Sequence, residues 1–196
     1  MLKPRHHFIL YKPQGYISQF ITNQEKGYKK KLLGELHNFP KGTMAIGRLD
    51  ENSEGLLLLT TDGKMSEQVR SKKVEKEYYI QIDGEITPEA IEQLKTGVEI
   101  GIKGKKYTTL PCNAFKLNDA PNFAPSTKRI RDDRHGPTNW ISITITEGKF
   151  RQVRKMTAAV GFPTLRLVRV RIGNIHLNKM LSGDVVELDN LELALE

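Results

Sequence analysis

The stretch IGRLDENSEGLLLLTTDG, Ile46 to Gly63, sets four consecutive leucines between two polar segments. Leu56–Thr60 reads as a buried strand, and Met44–Ile46 as a strand before it. The connection Arg48–Gly55 between them carries Asp50. An aspartate in such a connection is commonly a turn or cap residue. Here it follows Arg48 by two positions, and a neighbouring guanidinium favours the ionised carboxylate that a nucleophile requires. The surrounding loop is small and polar (Asn52, Ser53, Gly55) and is pinned by strands on both sides, as loops that carry functional groups typically are. On these features alone, a turn residue and a nucleophile both stay open for Asp50.

Outward from this stretch, His6–Tyr11 reads as a strand that ends in the turn Pro13-Gln14-Gly15. Lys29–His37 reads as a short helix, closed by Pro40 and Gly42, and Lys64–Arg70 as one or two helical turns after the Asp62-Gly63 turn. Tyr78–Asp83 alternates, with Tyr78, Ile80 and Ile82 on one face. Thr87-Pro88-Glu89 starts a helix through a capping hydroxyl, a proline at the first helical position and an acid in the first turn, and Gly97 ends it. Val98–Ile102, Pro111–Leu117 and Trp140–Thr146 read as strands. The polar segment Asn118–Asn139 between the last two has no apolar periodicity and is expected to be a long mobile loop.

Glu147-Gly148 turns the chain into a helix, Arg151–Val160. Val153, Met156, Thr157 and Val160 share its buried face, and Arg151, Arg154 and Lys155 lie opposite. Leu165–Ile172 is a strand with a phase slip between Leu167 and Val168 that suggests a bulge. Val185–Leu188 is the last strand. A strand-rich inventory with few long helices gives an α+β fold.

Composition narrows the function. The 196 residues carry 31 Lys+Arg against 23 Asp+Glu, a net charge of +8, which points to a polyanionic partner. The excess is concentrated: Lys149, Arg151, Arg154, Lys155, Arg166, Arg169 and Arg171 occur between positions 149 and 171 with no acidic residue among them. Basic residues also solvate surfaces, but concentration in one segment favours RNA or DNA. No apolar run approaches the roughly 20 residues that span a bilayer, and no signal segment opens the chain. The single cysteine, Cys112, excludes an internal disulfide and a cysteine metal cluster, as expected in the cytoplasm. Gly55 and Gly63-Lys64 do not form a phosphate-binding loop. His6-His7 has no partner cluster for zinc, and no serine lies in a nucleophile-elbow context.

Three segments remain together: Arg48-Leu49-Asp50, Lys76-Glu77-Tyr78 at the head of a strand, and EGKFRQVRKM from Glu147 to Met156. This set resembles the RNA pseudouridine synthases of the RsuA/RluB/E/F type. GRLDENSEGLLLLTTDG is similar to that family's catalytic-aspartate motif, KEYY to its tyrosine motif and EGKFRQVRKM to its basic third motif. LRLVRVRIGNIHL is similar to the segment that follows. The likeness covers nearly the whole chain. RQVRKMTAAVGFPTLRLVRVRIG is most similar to the branch that modifies large-subunit ribosomal RNA.

The resemblance implies an enzyme that isomerises a uridine of 23S rRNA to pseudouridine without cofactor or metal. It implies one catalytic domain over residues 1–196: a mixed, mainly antiparallel sheet flanked by short helices, in two subdomains with the active-site cleft between them. Most relatives add an N-terminal S4-like domain. Here Lys3-Pro4 leads almost directly into the first strand, so RNA docking is expected to rest on the catalytic domain itself, acting as a monomer. By resemblance Asp50 is the nucleophile; attack on ribose C1′, attack on the base and abstraction of a sugar proton all stay open. Tyr78 corresponds to the tyrosine that stacks on the target base, although a core aromatic fits its face equally. Arg154 corresponds to the cation that pairs with the aspartate; a surface arginine on phosphate is its alternative. Arg48 is expected to fill the stack left by an extruded base. Lys76, Lys149, Arg151, Lys155, Arg166 and Arg169 are expected to bind RNA, the last five at phosphates. The alternative is a non-catalytic rRNA-binding assembly factor on the same fold, against which the intact trio Asp50, Tyr78 and Arg154 argues. A metal-dependent nuclease is less favoured, because the basic half offers few carboxylates.

Overall fold

The computed structural model describes residues 4–22, 30–71, 74–131 and 133–195. The chain divides into two compact units, Met1–Val74 with Val170–Glu196, and Glu75–Arg169. Along the chain come β1 (His7–Lys12), β2 (Met44–Ile46), β3 (Glu54–Thr60), α1 (Gly63–Ser71), β4 (Lys76–Asp83), α2 (Pro88–Thr96), β5 (Glu99–Ile102) and β6 (Lys105–Thr108). They are followed by β7 (Asn113–Lys116), β8 (Thr138–Ile145), α3 (Gln152–Ala159), β9 (Thr164–Ile172), β10 (Ile175–His176), β11 (Val185–Leu188) and α4 (Leu191–Leu195).

In the first unit β1 lies between β3 and β11, antiparallel to both, with Leu10 opposite Leu57 and Val185. β2 pairs antiparallel with β3, Ile46 opposite Leu58. All seven residues of β3 are buried, and a strand covered on both faces reads as an apolar run rather than an alternation. That is the physical reason for the four leucines. Leu57 and Leu59 pack with Phe8, Leu10 and Leu33, and Phe20 and Phe39 close over this cluster. The Phe8–Phe39 and Phe20–Phe39 rings meet edge to face at 5.4 and 5.3 Å, a favoured aromatic geometry.

The helix expected over Lys29–His37 is a single 3-10 turn, Leu33–Glu35, and Lys29 lies outside the described residues. Lys31 instead bridges to Tyr16. Ile17 donates its N–H to the Lys31 carbonyl at 3.0 Å, and the Leu33 N–H goes to the Gln19 carbonyl at 3.0 Å. These tertiary bonds consume backbone groups that a helix would need.

In the second unit β8 lies between β4 and β7, again antiparallel: Ile143 is opposite Tyr78 and Ala114, and Ile141 opposite Ile80 and Lys116. Ile80, Ile82, Ile141 and Ile143 are fully buried. The Thr87 hydroxyl accepts from the Ala90 N–H at 3.2 Å and caps α2. β5 and β6 form a separate two-stranded sheet, joined at Lys103 and Gly104, both with positive φ (49° and 77°), as a tight hairpin turn demands. β6 (KKYT) escapes pattern reading because three of its four residues are exposed. The phase slip in β9 coincides with four successive buried residues, Arg166 to Arg169, so both faces of the strand are covered. Val160 is half-buried and follows the end of α3.

The segment after β7 is laid down at defined points. The Leu117 N–H donates to the Trp140 carbonyl at 2.8 Å, and the Phe123 ring lies 6.4 Å from Tyr79 and 5.8 Å from Trp140. The Arg131 guanidinium donates to the Gly136 and Pro137 carbonyls at 2.7 and 3.1 Å and pairs with Asp83.

Gly97 closes α2 at φ 110°, and a Cβ there would meet the Thr109 carbonyl oxygen at 2.4 Å. Gly97→Ala combines a disfavoured backbone with a backbone clash and is expected to cost at least about 2 kcal/mol of stability in urea unfolding.

Candidate active site

Asp50 sits in the connection between β2 and β3, and its backbone is clamped from three directions. Gly47 enters the connection at φ 75°, a conformation glycine adopts without penalty. Leu49 is buried, and both its backbone groups meet one hydroxyl. The Leu49 N–H donates to Ser18 Oγ at 2.9 Å, and Ser18 Oγ donates to the Leu49 carbonyl at 2.8 Å. After Asp50, the Glu51 carbonyl accepts from the Gly15 N–H at 2.8 Å, and its carboxylate pairs with Lys30. The Ser53 N–H closes the turn on the Asp50 carbonyl at 3.0 Å.

Lys12 completes the clamp. Its side chain is fully buried, and its ammonium donates to the carbonyls of Pro13 at 2.8 Å, Tyr16 at 2.6 Å and Glu51 at 3.5 Å. A buried charge is tolerated only with such partners. Between the clamped residues Asp50 is half-buried and Arg48 exposed. Lys12 and Ser18 hold the backbone on either side of Asp50, and the motifs alone do not reveal them. The available signal was a lysine ending an apolar strand just before Pro13-Gln14-Gly15.

Tyr78, Arg154 and the remaining candidates belong to the second unit. Tyr78 is buried on the face of β4 that carries Ile80 and Ile82. The Arg169 guanidinium lies 6.0 Å from its ring centroid, within cation–π range. Lys76 donates to the Thr146 carbonyl at 3.0 Å. Burial, and secondly the Arg169 charge, push its ammonium below the usual lysine range. Tyr78, Lys76 and Arg169 are thus brought together.

Arg154 is half-buried on α3. Val153, Met156 and Thr157 hold that helix down, and Thr157 shares a hydroxyl–hydroxyl bond of 2.8 Å with Thr164. The entry to α3 is held by Gln152, buried on the helix. Its Oε1 accepts from the Lys149 N–H at 2.9 Å, and its Nε2 donates to Glu147 Oε1 at 2.5 Å. Glu147 also accepts from the Leu110 N–H at 2.9 Å and from the Tyr107 hydroxyl, and this last bond is the chief cause that raises the phenol's pKa.

The structure separates the basic residues expected at phosphates. Lys149 and Arg151 are exposed and Lys155 half-buried, whereas Arg166 and Arg169 are 7% and 4% exposed. The Arg166 guanidinium lies 5.5 Å from the Phe123 ring, as that of Arg169 lies over Tyr78. Burial on both faces of β9 turns these two guanidiniums toward aromatic rings rather than solvent. Among the described residues no group of His, Cys, Asp or Glu could hold a metal ion, and no helix is long and apolar enough to cross a membrane.

Residues 6–159 match the family model for RNA pseudouridylate synthase. The chain is 39% identical over 174 residues to ribosomal large subunit pseudouridine synthase E of Xanthomonas axonopodis pv. citri, covering 88% of each chain. It is 39% identical over 189 residues to the synthase E of Vibrio parahaemolyticus, covering 95% of this chain and 75% of that one. A crystal structure of a pseudouridylate synthase superposes with a TM-score of 0.75 at 25% identity, over 98% of this chain and 74% of the other. The chain belongs to the RNA pseudouridylate synthase family. It is an RNA pseudouridine synthase with that family's α+β fold.

Ser18→Ala removes the single group that serves both the N–H and the carbonyl of buried Leu49. The expected cost is about 2 kcal/mol, read as a fall in the urea midpoint with an unchanged slope.

Proposed function

We propose that this protein isomerises one uridine of 23S ribosomal RNA to pseudouridine, with Asp50 as the nucleophile. The substrate follows from the relatives, which are named as large-subunit ribosomal synthases. The observation that carries the role of Asp50 is its clamped backbone beneath a half-buried side chain, the geometry of a group held for use. In the reaction the N1–C1′ bond breaks, a C5–C1′ bond forms, C5 loses a proton and N1 gains one. The conversion is a redox-neutral isomerisation, so it balances without a co-substrate.

The remaining roles follow the family motifs. Tyr78 stacks on the target base, and Arg169 over its ring supports that placement. By its place in the basic third motif, Arg154 is the cation proposed to act with the aspartate. A uridine inside folded RNA must leave its stack before a side chain reaches it. Arg48 is exposed, and its planar guanidinium suits the vacated position. Lys149, Arg151 and Lys155 hold phosphates and make binding salt-dependent. The protein acts as a monomer in the cytoplasm on rRNA or an assembling subunit.

Incubation with unmodified 23S rRNA is expected to create one new carbodiimide-dependent reverse-transcription stop. Asp50→Asn is expected to abolish the stop while RNA binding persists. No new stop with the unaltered protein would overturn the proposal. A stop that survives in Asp50→Asn would remove Asp50 from the chemistry.

A further inference from the structure

Phe150 is 65% exposed and stands between exposed Lys149 and Arg151. A lone exposed apolar residue is ordinary, but this one sits in a built environment. The Lys155 ammonium lies 5.3 Å from the centroid of its ring. Arg151, the next residue, adopts the left-handed conformation at φ 51° and ψ 33°. That conformation is sterically disfavoured for a non-glycine residue, and such strain concentrates at functional positions.

Two contacts lace this turn to the hairpin of β5 and β6. Lys155 Nζ donates to the Gly101 carbonyl at 2.5 Å, and Lys149 Nζ lies 4.9 Å from the Tyr107 ring centroid. The hairpin adds Lys103, Lys105 and Lys106, all exposed. Lys106 is paired with Glu99 at 2.8 Å. The other nearby acid, Glu147, is engaged by Gln152, Leu110 and Tyr107. The result is a cationic surface with one ring standing out of it.

We infer that this surface is an auxiliary RNA-binding site, in which Phe150 stacks on an unpaired base while Lys103 and Lys105 at the hairpin tip hold the flanking phosphates. The inference rests on the proposed action on RNA and adds a contact outside the catalytic trio. An acidic protein surface would satisfy the lysines but offers no partner of matching shape for the ring. An unpaired base does, and base–aromatic stacking combined with a cationic track is how single strands are held without sequence readout.

The test is fluorescence anisotropy with a short fluorescein-labelled single-stranded RNA, across a range of salt concentrations, with the full chain. Phe150→Ala is expected to weaken binding about tenfold with the salt slope unchanged, and Phe150→Trp to restore it. Lys103→Asn with Lys105→Gln is expected to lower the slope of log affinity against log salt by about 1.4, two single-strand phosphate contacts. Asn is chosen at 103 because it tolerates positive φ. All altered residues are exposed, so unchanged thermal melts are expected and certify the fold. An affinity within twofold of the unaltered protein for Phe150→Ala, or an unchanged salt slope for the lysine pair, overturns the inference. So does an equal loss of binding to polyglutamate, which would mark a general polyanion surface. Failure of the unaltered protein to bind this RNA and 23S rRNA alike would instead strike the proposed function.

Discussion

A buried ammonium must find oxygen, and the way Lys12 does so organises the first unit. Its carbon stem runs into the protein at the end of β1, and its ammonium gathers the carbonyls of Pro13, Tyr16 and Glu51. Those carbonyls belong to two different loops, so one charge ties the turn after β1 to the connection that bears Asp50. Leaving such a charge unpaired would cost several kcal/mol, which makes the tie hard to undo. Ser18 adds the second bond across the same gap, gripping both backbone groups of Leu49. The residues on either side of Asp50 are held, and its backbone is held with them.

The second unit uses its cations in two distinct ways. Arg166 and Arg169 are desolvated on β9 and lie against Phe123 and Tyr78. A guanidinium suits this because it is weakly hydrated and planar. Lys149, Arg151 and Lys155 surround the entry to α3 and keep contact with water. A single basic stretch of sequence therefore yields an interior set that lies against aromatic rings and an outer set at the water-facing surface. Net charge sees only their sum.

Much of the fold was legible beforehand for local reasons. The alternation of Tyr78, Ile80 and Ile82 reflects a strand with one buried face, and Thr87-Pro88 with Gly97 brackets a helix through caps that act within a few residues. The 3-10 turn at Leu33–Glu35 was not legible, because backbone bonds to Ile17 and Gln19 override local preference there. Nor was β6, whose exposed lysines carry no apolar pattern and whose existence depends on pairing with β5. In β9, burial on both faces erases the period of two that would have told an inward arginine from an outward one.

By itself the sequence determined the alternating strand β4 and the capped helix α2, the motif set around Asp50, Tyr78 and Arg154, and the basic character of the segment from Lys149 to Arg171. Each of these is written in neighbouring residues, through period, capping or charge. Only the tertiary structure decided that Lys12 and Ser18 clamp the Asp50 connection, that Arg166 and Arg169 face rings rather than solvent, and that Phe150 stands exposed beside a lysine-tipped hairpin. Each of those is a pairing between residues distant in the chain, and desolvation acts on the group that folding buries, whatever its neighbours in sequence.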